Sequence, residues 1–131
     1  MSRKRPFRRS EVTERLAEQL IVDLYGCDPA LLDDPEVVRA VARNAVQAVG
    51  AGIVEECIHR FEPIGISYIA VITTSHFSIH TWPEYGYAAV DVFSCSAGVP
   101  HETAQAIGDA FRASERRIRR IERNLKGDEA H

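Results

Sequence analysis

The stretch from Ser75 to Cys95 crowds together side chains that can do chemistry: Ser75, His76, Ser78, His80, Trp82, Glu84, Tyr85, Asp91 and Cys95. A metal ion needs three or four convergent ligands at set spacing. His76 and His80 alternate onto one face of an extended strand, but stand about 13 Å apart at the usual rise per residue. That is too far for one zinc ion, and there is no C-x-x-C or H-E-x-x-H, so no metal is expected. Serine, histidine and acid are all present for a hydrolytic triad, yet no G-x-S-x-G elbow frames a serine. No glycine-rich loop opens a helix to cradle phosphate. Pyridoxal phosphate requires a lysine inside the fold. The only lysines are Lys4 and Lys126, near the two ends, so no pyridoxal enzyme is expected. A carbonyl electrophile made from the backbone itself stays open.

The elements around these residues follow from periodicity. Residues 11–25 begin with helix formers and end in LIVDLY, which predicts a short helical lead into a strand at about 19–25. Gly26 and Asp28-Pro29 punctuate, and a loop is expected through 30–34. Residues 35–50 carry the clearest helix pattern. Asp34 can cap it, Pro35 suits its first turn, and Val38, Val41, Ala42, Ala45, Val46 and Val49 make one apolar face. Strands are predicted at 53–61, 66–73, 76–82 and 87–94, with turns at Pro63-Ile64-Gly65 and Pro83–Gly86. In HFSIHTW, His76, Ser78 and His80 share one face, and Phe77 and Ile79 the other. Residues 101–114 look helical. Residues 115–123 (ERRIRRIER) suit a continuing helix or an edge strand. Strands gathered in a run, with helices set apart, predict an α+β domain: a two-layer sandwich with an antiparallel sheet and helices packed on one face.

Length and charge bound the possibilities. A chain of 131 residues holds one domain, and 45% hydrophobic with 27% charged residues is an ordinary globular composition. No run approaches the roughly 18 apolar residues of a membrane helix. The basic N-terminus lacks the apolar stretch of an export signal. A cytoplasmic location is therefore expected, with Cys27, Cys57 and Cys95 as thiols; Cys27 and Cys57 read as buried structural thiols. Residues 1–10 carry five basic side chains and no acid, whereas residues 11–111 carry four arginines against fifteen acids. We expect residues 1–10 to be a disordered basic tail, residues 11–124 to form the domain, and 125–131 to be a second tail. The acidic body argues against nucleic acid and suits a cationic small molecule. Arg116–Arg120 reads as a solvated face, with contact to a partner subunit as the other possibility. Trp82 and Tyr85 read as packing or interface residues.

Three segments carry a family resemblance. IHTWPEYGYAAVDVF (79–93) preceded by Ser75-His76, FEPIGIS (61–67) and DLYGCDP (23–29) together resemble the short prokaryotic S-adenosylmethionine decarboxylases. The resemblance implies that family's α+β fold and a cofactor made from the chain. Ser75 attacks the carbonyl carbon of Thr74, and the resulting ester breaks by β-elimination. A β chain (1–74) and an α chain (75–131) with a covalent pyruvoyl group at Ser75 are left. His80 drives the elimination and Ser67 assists the acyl shift. The pyruvoyl group forms a Schiff base with substrate and draws off the electrons released with CO₂, as pyridoxal does elsewhere. Cys95 matches the proton donor. Phe61 matches an aromatic stacked on adenine, Glu84 a carboxylate on the ribose hydroxyls, and His76 a residue that helps form the site.

The same resemblance implies S-adenosylmethionine as substrate, decarboxylated S-adenosylmethionine for spermidine synthesis as product, and a homodimer of processed protomers. A small single-layer sheet needs such cover. The chain departs from the pattern in two places that matter, and its first strand also lacks the family-like glycine and histidine, with Ala17 and Gln19 nearby. Thr74 replaces the usual glutamate before the cleavage serine, and Tyr68 follows Ser67 where small residues are usual; it can pack or narrow the pocket. Three readings follow: decarboxylation of S-adenosylmethionine, the same chemistry on arginine or ornithine, or an unprocessed non-catalytic paralogue. Phe61 and Glu84 favour the first.

Overall fold

A computed structural model describes residues 16–95 and 98–127. The elements run β1 (Leu16–Tyr25), α1 (Pro29–Leu32), α2 (Pro35–Ala48), β2 (Ile53–Arg60), β3 (Ile66–Ile72), β4 (Ser75–Trp82), β5 (Tyr87–Ser94), α3 (His101–Ala110) and β6 (Glu115–Asn124). A short 3-10 turn, Pro83–Tyr85, joins β4 to β5. The six strands form one antiparallel sheet in the order β2-β3-β4-β5-β1-β6. The helices cover one face of it, so the expected two-layer α+β sandwich is the fold.

Alternation decides which face each residue serves. Leu20, Val22 and Leu24 of β1, Tyr68 and Ala70 of β3, Phe77 and Ile79 of β4, and Val90 and Val92 of β5 point inward and are buried. They meet Val38, Ala42 and Val46 of α2 and Ala104, Ile107 and Phe111 of α3. The α2 helix forms where its signals stand. The Asp34 side chain accepts from the Glu36 N–H, and Pro35 occupies the first turn. Among the described residues, no element covers the opposite face of the sheet. His76, Ser78 and His80 lie on it, as the alternation of β4 predicts.

Three expectations need correction. The helical lead is a strand from Leu16 onward, because β1 lies between β5 and β6 and pairs with both. Its residues 11–15, and the tail residues 1–10 and 128–131, lie outside the described residues. The loop expected at 30–34 contains the helix α1, capped by Asp28 onto Ala30. The helix expected over 101–114 stops at Ala110, where Arg112 takes a left-handed φ of 57°.

The ambiguous segment is the edge strand β6, paired with β1 over its whole length. It is not simply a solvated arginine face. Ile118 packs on the core, while Arg116 and Arg120 share its side of the sheet. Arg116 donates to the Gln105 carbonyl and to Asp109, and Arg120 to Glu18 and the Val99 carbonyl. These bonds tie the edge strand to the helical layer.

Candidate active site

The site begins at a tight hairpin. Thr73-Thr74 is a two-residue turn between β3 and β4, closed by the pair Ile72–Ser75. Hairpins this short favour positive φ at their central residues, which glycine and asparagine supply. Threonine is β-branched and resists that conformation. The positive φ falls on Ser75 instead, at 151°, in a region that favours glycine. Backbone strain thus sits at the Thr74–Ser75 link. The turn is pinned from outside: the Thr73 N–H donates to the Gly52 carbonyl, and Thr73 Oγ1 accepts from the Gly52 N–H.

Cys95, just past β5, reaches the same link. Its backbone N–H donates to the Thr74 carbonyl oxygen at 2.9 Å. Thr74 and Cys95 are both buried. The Oγ of Ser75 and the Oγ1 of Thr74 are buried with no hydrogen-bond partner among the described residues. An unpaired buried hydroxyl is costly. Here it stands next to a carbonyl whose oxygen already receives an N–H, which is what an intramolecular acyl shift requires.

A second group lies at the other end of β4. Phe61, Ser67, His80 and Glu84 line a cavity of about 280 Å³, with Ile64, Gly65, Ile66, Thr81 and Trp82 completing its wall. Ser67 and His80 are register partners, and Ser67 Oγ lies 2.7 Å from His80 Nδ1. Phe61 is 47% exposed, so its ring is available rather than part of the core. The structure therefore brings the expected site residues together as two sets. Five residues of extended strand separate Ser75 from His80, about 16 Å at the usual rise.

His76 lies between the sets on the open face. Its Nε2 is 2.9 Å from Asp91 Oδ2, and Asp91 Oδ1 accepts from Gln19 at 3.0 Å. The sequence singles out Asp91 without a partner, and marks Gln19 only as standing near an absent family-like histidine of the first strand. The alternation of β5 against β4 was the available signal for Asp91. Of the remaining thiols, Cys27 is buried, and burial pushes it up to about 11. Cys57 is exposed, against expectation, because it alternates onto the open face of β2 opposite Ile69. A second cavity of about 150 Å³ lies between α2 and α3; Val41, Ala45, Ile107 and Ala110 line it, and no titratable side chain does.

Residues 18–124 match the family model described as S-adenosylmethionine decarboxylase. The chain belongs to the S-adenosylmethionine decarboxylase family. It is 40% identical over 109 residues to an S-adenosylmethionine decarboxylase proenzyme of Parasynechococcus marenigrum, covering 82% of this chain and 85% of that one. It is 38% identical over 116 residues to a proenzyme of the same name from Methanococcus maripaludis, covering 88% and 95%. The crystal structure of the adenosylmethionine decarboxylase from Aquifex aeolicus superposes with a TM-score of 0.77 at 29% identity, covering 86% of this chain and 93% of that one.

Within this decarboxylase family chain, both departures from the expected pattern can be placed. Tyr68 does not narrow the pocket. It is fully buried on the helix-covered face, edge-on to Phe77, and its hydroxyl donates to Glu56 at 2.5 Å. Burial and that carboxylate push the phenol well above its ordinary range. Thr74 keeps the backbone carbonyl in place and leaves a buried hydroxyl where the resemblance implies a carboxylate.

Proposed function

We propose that the chain makes a pyruvoyl group from Ser75 by cutting itself into residues 1–74 and 75–131, and that two processed copies complete each other's sites. The activity follows from the family. The chain is an S-adenosylmethionine decarboxylase, converting S-adenosylmethionine to CO₂ and decarboxylated S-adenosylmethionine, the aminopropyl donor of spermidine synthesis.

The Thr74–Ser75 link carries the reading. Ser75 Oγ attacks the Thr74 carbonyl carbon, the C–N bond breaks, and the nitrogen takes the hydroxyl proton. The Cys95 N–H faces the oxygen on which negative charge develops. A positive φ at Ser75 raises the energy of the starting peptide. Removal of the Ser75 α-proton then expels the Thr74 carboxylate and frees residues 1–74. Hydrolysis of the remaining dehydroalanine releases ammonia. The buried Ser75 Oγ, without a hydrogen-bond partner among the described residues, and its polarised carbonyl fit the formation of such a group. The group supplies an electron-withdrawing carbonyl for the substrate amine.

His80, beside Ser67, is the base we assign to the elimination. It lies about 16 Å along the strand from the Ser75 of its own chain. A two-fold axis running across the strands lays the open faces together with opposite ends matched. The Phe61–His80–Glu84 end of one copy then meets the Ser75–Cys95 end of the other. An axis parallel to the strands would match like ends instead. Apolar side chains on the open face suit this contact: Ile69 and Val71 are each 50% exposed and Ile121 43%. The cavity alone, about 280 Å³, falls just below the roughly 300–1,000 Å³ usual for small-molecule sites, as expected of half a site.

In the completed site Phe61 offers a ring face to adenine. The Glu84 carboxylate accepts from the ribose hydroxyls. Asp91 holds His76 beside Ser75, and the Cys95 thiol delivers the proton to the substrate carbon. A cytoplasmic location suits the three free thiols.

Co-expression tests both halves of the proposal. A Ser75→Ala chain and a His80→Ala chain should each stay intact alone. Expressed together, they should yield cleaved His80→Ala chains, because one site of the mixed dimer pairs a native Ser75 with a native His80. Denaturing mass spectrometry reads the fragments. Two uncleaved chains in a mixed dimer confirmed by affinity tags would refute the shared site.

A further inference from the structure

We infer that Asp33 is a positioning residue for the substrate pocket: it clamps the turn at 61–65 from behind and so sets the wall that Phe61 presents. The inference rests on the reading that Phe61 faces the nucleoside. Asp33 does not line the cavity. Its Oδ1 accepts from the Gly65 N–H at 2.9 Å, and its Oδ2 from Arg60 at 2.8 Å. These two partners bracket the turn, one on each side. The turn also closes on itself, the Phe61 N–H donating to the Gly65 carbonyl at 2.8 Å. One carboxylate therefore fixes both ends of the segment that carries Phe61.

The anchor behind Asp33 is also tied down. Thr81 Oγ1 donates to the Leu32 carbonyl at 2.8 Å and accepts from the Ile66 N–H at 2.9 Å. The last turn of α1, the start of β3 and the end of β4 thus meet at one buried hydroxyl. Little room is left for adjustment at Gly65. Its φ is +108°, and a Cβ there would come within 3.2 Å of the Thr81 carbonyl oxygen. The helix α1 has four residues and buries one side chain, Leu32. Its product is the placement of Asp33.

A carboxylate is suited to this position because it accepts on both oxygens. Asparagine keeps one acceptor for Gly65 but turns a donor toward the Arg60 guanidinium. Loss of the clamp should loosen the Phe61 wall while leaving the fold around Ser75 and Cys95, at the far end of β4 in the same chain, in place. The expected signature is weaker substrate binding with little change in turnover.

The test uses processed wild-type enzyme and the variants Asp33→Ala, Asp33→Asn, Arg60→Met and Phe61→Ala. Steady-state kinetics with S-adenosylmethionine are combined with amide hydrogen exchange. Asp33→Ala should raise KM about tenfold with kcat within about twofold of wild type. It should also speed exchange of peptides covering 61–66 while those of β5 stay protected. Asp33→Asn and Arg60→Met should each lie between it and wild type, and they carry the test should Asp33→Ala fail to fold. Unchanged KM in all three, with KM raised in Phe61→Ala, would overturn the inference alone. Unchanged KM in Phe61→Ala would instead overturn the reading of Phe61 beneath it. A fall in kcat at constant KM in the Asp33 variants would also overturn the inference.

Discussion

The backbone N–H of Cys95 donates to the carbonyl oxygen of Thr74 at 2.9 Å. The residue after β5 therefore touches the peptide bond before Ser75 through its main chain, leaving its thiol for other work. The two functions assigned to Cys95 should separate on substitution. Cys95→Ala keeps the N–H and loses the sulfur. Its chain should still cleave to fragments 1–74 and 75–131. Decarboxylation should fall on the order of 100-fold or more, with some turnovers diverted to transamination. Intact-mass spectra and CO₂ release measure the two outcomes, and unchanged turnover would remove Cys95 from the mechanism.

Ser75→Ala removes the nucleophile and keeps the fold. The purified variant should run as one chain of full mass, whereas wild type should give two, the C-terminal one lacking a free amine. Two fragments from Ser75→Ala would end the self-processing proposal.

Much of this fold could be read in the sequence where side-chain alternation was strong. The strands β4 and β5 declare themselves because Phe77, Ile79, Val90 and Val92 alternate with polar or small residues. The helix α2 declares itself through Asp34, Pro35 and five inward apolar residues. The strand β6 could not be settled, since Ile118 and Ile121 stand three apart and suit a helix equally. Pairing with β1 decides it, and that is a tertiary fact. The same holds for the site. Residue types around Ser75 and His80 gave the chemistry and the strand pattern their separation, but the Cys95 N–H on the Thr74 carbonyl and the Ser67–His80 pair are tertiary contacts that no local pattern encodes. Asp33 was illegible because its meaning lies in Gly65, 32 residues away.

Tyr68 tests whether packing beneath the helices is insulated from the pocket. Its hydroxyl bonds to Glu56, which also pairs with Arg43. Tyr68→Phe keeps the ring against Phe77 and loses one hydrogen bond, at a cost of about 1 kcal/mol. KM and kcat should not move. Urea denaturation and steady-state kinetics measure this, and a KM change would mean that Tyr68 reaches the pocket after all.

Acid should weaken the protein in part through the same Asp33 clamp. The Gly65 N–H, and then Arg60, hold the Asp33 carboxyl below the usual carboxylate range. A carboxyl whose folded pKa is depressed stabilises the fold above its unfolded value, about 3.9. That contribution is lost as pH falls through the folded value. Asp33→Asn cannot titrate. The difference in urea midpoint between wild type and Asp33→Asn should therefore stay constant from about pH 7 to pH 5 and shrink below about pH 4. Glu56, lowered by Arg43 first and Tyr68 second, titrates in both chains and cancels from the comparison. A difference that persists unchanged to pH 3 would show that the Asp33 charge does not stabilise the clamp.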